Sequence, residues 1–234
     1  MPVIVFASSK GGAGKTTACV TLAGELARQG KDKGINITLI DADPNQHSAK
    51  WALKEGCPAN IQLVQNSNEE SILDDIDKAK NKRGFVLVDL EGTASMAVAH
   101  AISRADLIII LCQGSQDDAD EAAKTIRLIR RQEKALQREI AYAVLFTRTN
   151  PAITPRTLKA IVNDFKTAKI DIFRYSLTER EAFRAVRSFG GIVNDLNPKE
   201  VSGIEKAAVN AKIYAEEVKR KLRAGIEVRR AANG

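Results

Sequence analysis

A chain of 234 residues, 44% hydrophobic and 28% charged, is long enough to bury a substantial core and has the balance of one globular domain spanning 1–234. No stretch approaches the roughly 20 consecutive apolar residues of a membrane-spanning helix, and the N-terminus lacks the pattern of a secretory leader, so a cytoplasmic location is expected. Cys19, Cys57 and Cys112 show no C-x-x-C spacing, which argues against a disulfide framework or zinc site, while the net charge of +7 favours a polyanionic partner.

The apolar run at 3–7 predicts a strand that feeds Ser8-Ser9-Lys10-Gly11-Gly12-Ala13-Gly14-Lys15-Thr16-Thr17. Gly11, Gly12 and Gly14 remove Cβ atoms where a backbone must curl around an anion, and the following helix points its positive end at the same place. Such a loop is a phosphate cradle in which Lys15 reaches the terminal phosphates and Thr16 places its hydroxyl on Mg²⁺. Ser9 stands where the common G-x-x-x-x-G-K-[ST] pattern has its first glycine, and Lys10 adds a second lysine.

Apolar positions at helical spacing carry the next helix to Gly30, and the run at 35–40 predicts a second strand ending in Asp41-Ala42-Asp43-Pro44. Asp41 and Asp43 share a face of an extended segment, so they can address one metal or water, or else cap a following helix through a D-P turn. Helical segments near 45–55 and 69–80 flank a short strand at 61–64. A strand at 85–88 then stops at Asp89, either a turn residue or, with Thr16, the carboxylate and hydroxyl pair that suits Mg²⁺. Strands at 107–111, 140–147 and 170–173 alternate with helices at 117–137 and 156–168 before a C-terminal helix of about 199–230. This alternation predicts an α/β, doubly wound, mostly parallel central sheet flanked by helices, with the 8–17 loop, Asp41, Asp43, Asp89 and the loops at Gln113 and Thr147 meeting at the carboxyl ends of the strands.

The box K-G-G-x-G-K-T-T at 10–17, the D-x-D-P at 41–44, the apolar strand ending at Asp89, and the late Thr178-Glu179-Arg180-Glu181-Ala182-Phe183 with Gly190-Gly191 resemble the ParA/MinD family of deviant Walker A P-loop ATPases, closest to ParA-type partition proteins. The resemblance implies ATP and Mg²⁺ as cofactors. Lys10, Gly11, Gly12, Ala13, Gly14, Lys15, Thr16, Thr17, Thr147 and Arg148 would surround the nucleotide, and Thr16, Asp41 and Asp89 would serve the metal. Lys10, Lys15 and Asp43 would carry catalysis, with Asp43 orienting the attacking water and Lys10 crossing to the nucleotide of a second subunit. It further implies an ATP-dependent sandwich homodimer that binds DNA non-specifically near the nucleoid and hydrolyses ATP when a ParB-like partner engages it.

Two departures stand out: Asp89 is followed by Leu90-Glu91-Gly92 rather than by x-P, and Phe146-Thr147-Arg148-Thr149-Asn150 replaces the usual adenine-reading pattern. A MinD-like membrane ATPase is the alternative, but its amphipathic C-terminal helix would have only Val218, Leu222, Ile226 and Val228 here, so no stable membrane association is expected. Basic residues cluster at 124–138, at 174–187 and at 219–230. The last two, through Arg184, Arg187, Lys219, Arg220, Lys221 and Arg223, are the expected DNA contacts, directed at phosphates and sensitive to salt.

Overall fold

The computed structural model describes residues 1–92 and 95–232, with side chains as far as Val228, so the basic Arg229 and Arg230 lie outside the described side chains. Strand β1 (Val3–Ala7) leads through the glycine loop into helix α1 (Lys15–Gly30), followed by β2 (Asn36–Ala42), α2 (His47–Ala52), β3 (Ile61–Val64), α3 (Ile72–Lys80) and β4 (Gly84–Leu90). The second half contains α4 (Met96–Arg104), β5 (Leu107–Cys112), α5 (Gln116–Leu136), β6 (Tyr142–Thr149), α6 (Arg156–Thr167), β7 (Leu177–Thr178), α7 (Glu181–Phe189) and α8 (Ile204–Ala232). The strands form one seven-stranded parallel sheet in the order β3-β2-β4-β1-β5-β6-β7. The predicted α/β doubly wound architecture is therefore present.

Side chains alternate across each strand, so a parallel sheet covered on both faces needs apolar residues at every position. Ile4 and Phe6 join one core, with α1, α7 and α8, while Val3 and Val5 join the other, with α3, α4, α5 and α6. This two-sided burial is why β1, the middle of β4 and β5 read as continuous apolar runs. On the first face, Tyr214, Val218 and Leu222 bring α8 down along α1.

Four elements differ from the sequence expectation. The run at 170–173 makes only an isolated bridge from Ile172 to Val144, because the next amides, of Arg174 and Tyr175, donate to the Glu217 carboxylate on α8 instead of a neighbouring strand. The sheet ends in β7. The C-terminal helix begins at Ile204 rather than 199, since Asn197 Oδ1 accepts from the Lys199 amide and Gly203 turns left-handed at φ 70°. Helices α4 and α7 carry no expected counterpart; both are short, and α4 is started by the Ser95 hydroxyl accepting from the Val98 amide.

Gly84 shows how tightly β4 is seated against β2. Its φ is +143°, and a Cβ there would lie 1.7 Å from the Asn36 carbonyl oxygen. Gly84→Ala must move one strand off the other, and we expect a loss of about 3 kcal/mol in urea-monitored stability.

Candidate functional site

The loop at 8–14 closes through left-handed glycines, Gly12 at φ 79° and Gly14 at φ 91°, conformations that a Cβ would strain. Helix α1 starts at Lys15 with no side-chain cap, so its first amides are available to an anion. Neighbouring strand ends brace the loop through its carbonyls: Gln113 Nε2 donates to the Gly12 oxygen at 2.6 Å and Thr147 Oγ1 to the Ala13 oxygen at 2.7 Å. The N–H groups of Gly11 to Gly14 donate to no acceptor among the described residues. Gly92 completes the support, because a Cβ there would sit 3.0 Å from the Gly11 nitrogen. Gly92, which follows the Glu91 that stands where the family has its proline, thus lets the β4 loop pack directly on the cradle.

Register brings the carboxylates to the same level. Asp41 pairs with Asp89 across β2 and β4, and Asp89 pairs with Phe6 of β1, one residue short of that strand's end. Asp41 is committed locally: Oδ1 accepts from the Asp43 amide at 3.0 Å and Oδ2 from the Ala49 amide at 2.7 Å, which fixes the turn and the start of α2. Asp43 Oδ1 accepts from the Asn45 amide and side chain, leaving Oδ2 without a hydrogen bond among the described residues.

Asp89 is 0% exposed, and neither of its oxygens has a hydrogen-bond partner among the described residues. Burial, reinforced by Asp41, pushes its carboxyl up to about 7 against the opposing pull of the Thr16 hydroxyl, Lys15 and the Ser48 hydroxyl. Burial likewise lowers the Lys15 ammonium from its ordinary value, while Asp89, Asp43 and Glu91 resist the shift. An orphaned buried carboxylate beside the Thr16 hydroxyl is the donor set that suits a hard divalent cation such as Mg²⁺. Thr16 and Asp89 would hold it. Asp41, with both oxygens taking backbone amides, supports the turn beside them. No group of three or more His, Cys, Asp or Glu side chains among the described residues forms a metal cage, so such an ion would also need oxygens from water or phosphate.

A cleft of about 400 Å³ opens here, lined by the cradle with Asp43, Asn45, His47, Glu91 and Arg187. A second cavity, of about 410 Å³, shares Gly14, Thr17 and Arg187 with it and continues past Thr147 and Arg148 to Leu177, Glu179 and Phe183. Together they give a polar end for phosphates and a partly apolar end for a nucleoside. Asn45, His47 and Arg187 belong to this site although the sequence reading assigned them elsewhere or nowhere. Arg187 reaches it across 170 positions of sequence, its Nη1 3.5 Å from Thr17 Oγ1. Thr147 and Arg148 line the second cavity, with Thr147 engaged by the cradle carbonyl.

Lys10 points away from the cleft in this single chain. Its Nζ lies 3.2 Å from Asp118 Oδ1, with side-chain exposures of 49% and 7%. Burial pushes the Asp118 carboxyl up, but hydrogen bonds from Ser115 and Lys10 outweigh it and hold the group below its usual range. The other expected cations are dispersed. Arg184 pairs with Glu179 and Glu181, Lys219 with Gln29 and Glu216, and Arg220 with Glu217. Lys221 is 6% exposed and held by Asp171 and the Ile172 carbonyl, so it does not face solvent. Arg223 is exposed.

The VirC1 protein family matches residues 1–222. The chain belongs to this family. It is 38% identical over 222 residues to Protein ParA of Rhizobium radiobacter, covering 95% of this chain and 98% of that one. Protein virC1 of Rhizobium rhizogenes is 29% identical over 224 residues, with 93% and 94% covered. Among solved structures, the ATP complex of a McdA variant from Cyanothece superposes with a TM-score of 0.75 over 94% of this chain and 96% of that one, a likeness of fold at 16% identity. The resemblance to ParA/MinD P-loop ATPases holds along the VirC1-family region.

The raised Asp89 carboxyl sets a pH dependence for the VirC1-family fold without ligand. Between about pH 4 and 7 the folded protein keeps a proton that the unfolded chain releases, so Asp89's contribution to stability falls as pH rises through that window and levels off above it. Asp89→Asn removes this term. In urea unfolding at pH 5 and pH 8, the variant should gain more than about 1 kcal/mol relative to wild type on going to the higher pH.

Proposed function

We propose that this chain is a partition ATPase that binds ATP in the cleft between the cradle and α7, hydrolyses it, and uses the nucleotide to control a sandwich homodimer. The observation that carries this reading is Asp89, wholly buried and without a hydrogen-bond partner among the described residues, beside Thr16 and Lys15 at the floor of a glycine cradle whose amides meet no acceptor among those residues. A bound Mg²⁺, held by Thr16 and Asp89, would supply neutralisation of the phosphates' negative charge. The chain's own residues do the rest: the cradle amides and Lys15 hold the phosphates, Thr16 and Asp89 fix the metal's position, and Asp43, held by Asn45, orients a water through its free oxygen. That water forms the new bond to the γ-phosphorus as the bridging oxygen leaves with the diphosphate.

Lys10 enters from the facing subunit after leaving Asp118, and places its ammonium on the charge that develops during transfer. A ParB-like partner stimulates the step. The ATP dimer binds DNA without sequence preference through phosphate contacts from Arg184, Lys219, Arg220 and Arg223, which would place the protein on the nucleoid, where it segregates or positions plasmid DNA or other cargo. Arg187 is assigned to the nucleotide rather than to DNA. The MinD-like reading loses support because Val218 and Leu222, half of its apolar stripe, are buried against the core, and no helix among the described residues is long and apolar enough to cross a membrane.

Lys15→Ala should abolish nucleotide binding measured by fluorescent-ATP titration. Asp43→Ala should bind and dimerise on ATP yet turn over at less than a tenth of the wild-type rate, and normal turnover would remove Asp43 from its role. Lys10→Ala should bind ATP with an unchanged Kd while remaining monomeric in analytical ultracentrifugation. DNA of arbitrary sequence should be retained only with ATP and released by added salt; retention of anionic liposomes instead would replace partition with the membrane reading.

A further inference from the structure

Beyond β6, at the edge of the sheet, a groove of about 1000 Å³ runs between α6 and α8. Val162, Ile172 and Ile213 form a half-buried apolar floor, flanked by Ile153, Tyr175 and Val209, which are 65%, 46% and 57% exposed. Single exposed apolar side chains are ordinary, but three large ones around one groove mark a surface that something covers. The rim is cationic: Lys159, Lys166, Arg174, Arg180 and Lys206 face one carboxylate, Glu205. None of the five has a carboxylate partner among the described residues, whereas Arg184, Lys219, Arg220 and Lys221 are all paired. Arg180 Nε is buried with no hydrogen-bond partner there, and Arg174 lies 5.6 Å over the Tyr175 ring.

The backbone beside the groove is closed. Asn210 of α8 donates Nδ2 to the Ser176 carbonyl at 3.0 Å, and its Oδ1 accepts from the Thr178 amide at 3.0 Å and the Thr178 hydroxyl at 2.8 Å. With that edge capped, an added strand would find its ladder partners taken, so recognition must come through side chains. Double-stranded nucleic acid offers no apolar stripe for the floor, and a single exposed tyrosine makes a poor stacking platform.

We propose that the groove docks a partner protein through an acidic amphipathic helix, its apolar positions at i, i+3 or i+4 and i+7 on the Ile153, Tyr175 and Val209 side and its carboxylates against Lys159, Lys166 and Lys206. The groove shares Thr178 and Arg180 with the second cavity, but Ile153, Lys159, Lys166, Lys206 and Val209 line neither nucleotide cavity, so substitutions there leave the nucleotide site in place. A displayed library of random 16-residue peptides, selected on the intact protein and counter-selected on Val209→Asp, reads the composition directly. Both Val209 and Ile153 are exposed, so their Asp variants should keep the wild-type thermal midpoint and ATP affinity. Enriched peptides should carry net negative charge and a helical apolar stripe, and should bind at least tenfold more weakly to Ile153→Asp, to Val209→Asp and to the Lys159→Glu/Lys206→Glu double variant. Enrichment of basic or uncharged sequences, or of none that depend on Val209, would overturn the proposal. So would loss of DNA retention in Lys159→Glu/Lys206→Glu, which would assign the rim to nucleic acid. A dimer lost in Val209→Asp would assign the floor to a second copy.

Discussion

Parallel pairing of β2, β4 and β1 determines where the carboxylates of the site stand. Because Asp41 is opposite Asp89 and Asp89 is opposite Phe6, the carboxylates emerge level with the point where β1 gives way to the cradle. A slip of one residue would turn Asp89 to the other face of the sheet and put an apolar neighbour in its place. The two-sided apolar cores hold that register, and the fit of Gly84 against Asn36 leaves it no slack. Chemistry at the strand ends is therefore inherited from packing in the strand middles.

Once that register is set, burial leaves charges in an unfinished state. Lys15 and Asp89 are both taken from water, each shifted toward its neutral form, and the nearby Thr16 and Ser48 hydroxyls only partly offset the burial of Asp89. An anion on the cradle amides and a cation between Thr16 and Asp89 would favour the charged form of both groups. The braces from Gln113 and Thr147 fix the loop in advance, so binding would require little reorganisation of the backbone.

The parts of the site that the sequence disclosed are those encoded locally. The glycine spacing, the two lysines and apolar runs that stop at Asp41 and Asp89 depend only on neighbours, and the alternation of such runs with helical segments was enough for the sheet. What stayed hidden depends on distant pairs. Arg187 looked like one more surface cation because nothing near it announces Thr17, and Lys221 looked solvated because Asp171, which holds it, lies 50 positions away. Counting basic residues finds charge but not its compensation, and compensation decides which cations face solvent. The short α7 was invisible for a related reason: its apolar face, Ala182, Phe183, Ala185 and Val186, makes sense only against the core built from α1. The strand expected at 170–173 failed where a side chain on α8 captured its amides.

Lys10 and Asp118 illustrate how a resting contact can be firm for one partner and loose for the other. Asp118 is the third helical residue of α5 and closes a capping box with Ser115, accepting from the Ser115 hydroxyl at 2.6 Å and from its amide at 3.3 Å. Removing the lysine leaves that carboxylate still bonded and still at a helix N-terminus, where negative charge is favourable. Lys10, half exposed at the end of a flexible stem, forfeits an ion pair of the kind worth about 0–1 kcal/mol. A triphosphate on a facing subunit, carrying several negative charges in a narrow and partly desolvated cleft, can outbid such a contact. If the subunits face each other as proposed, the cation leaves Asp118 at small energetic cost. In the proposed dimer the decision between the two positions then rests on whether the partner's cradle is filled.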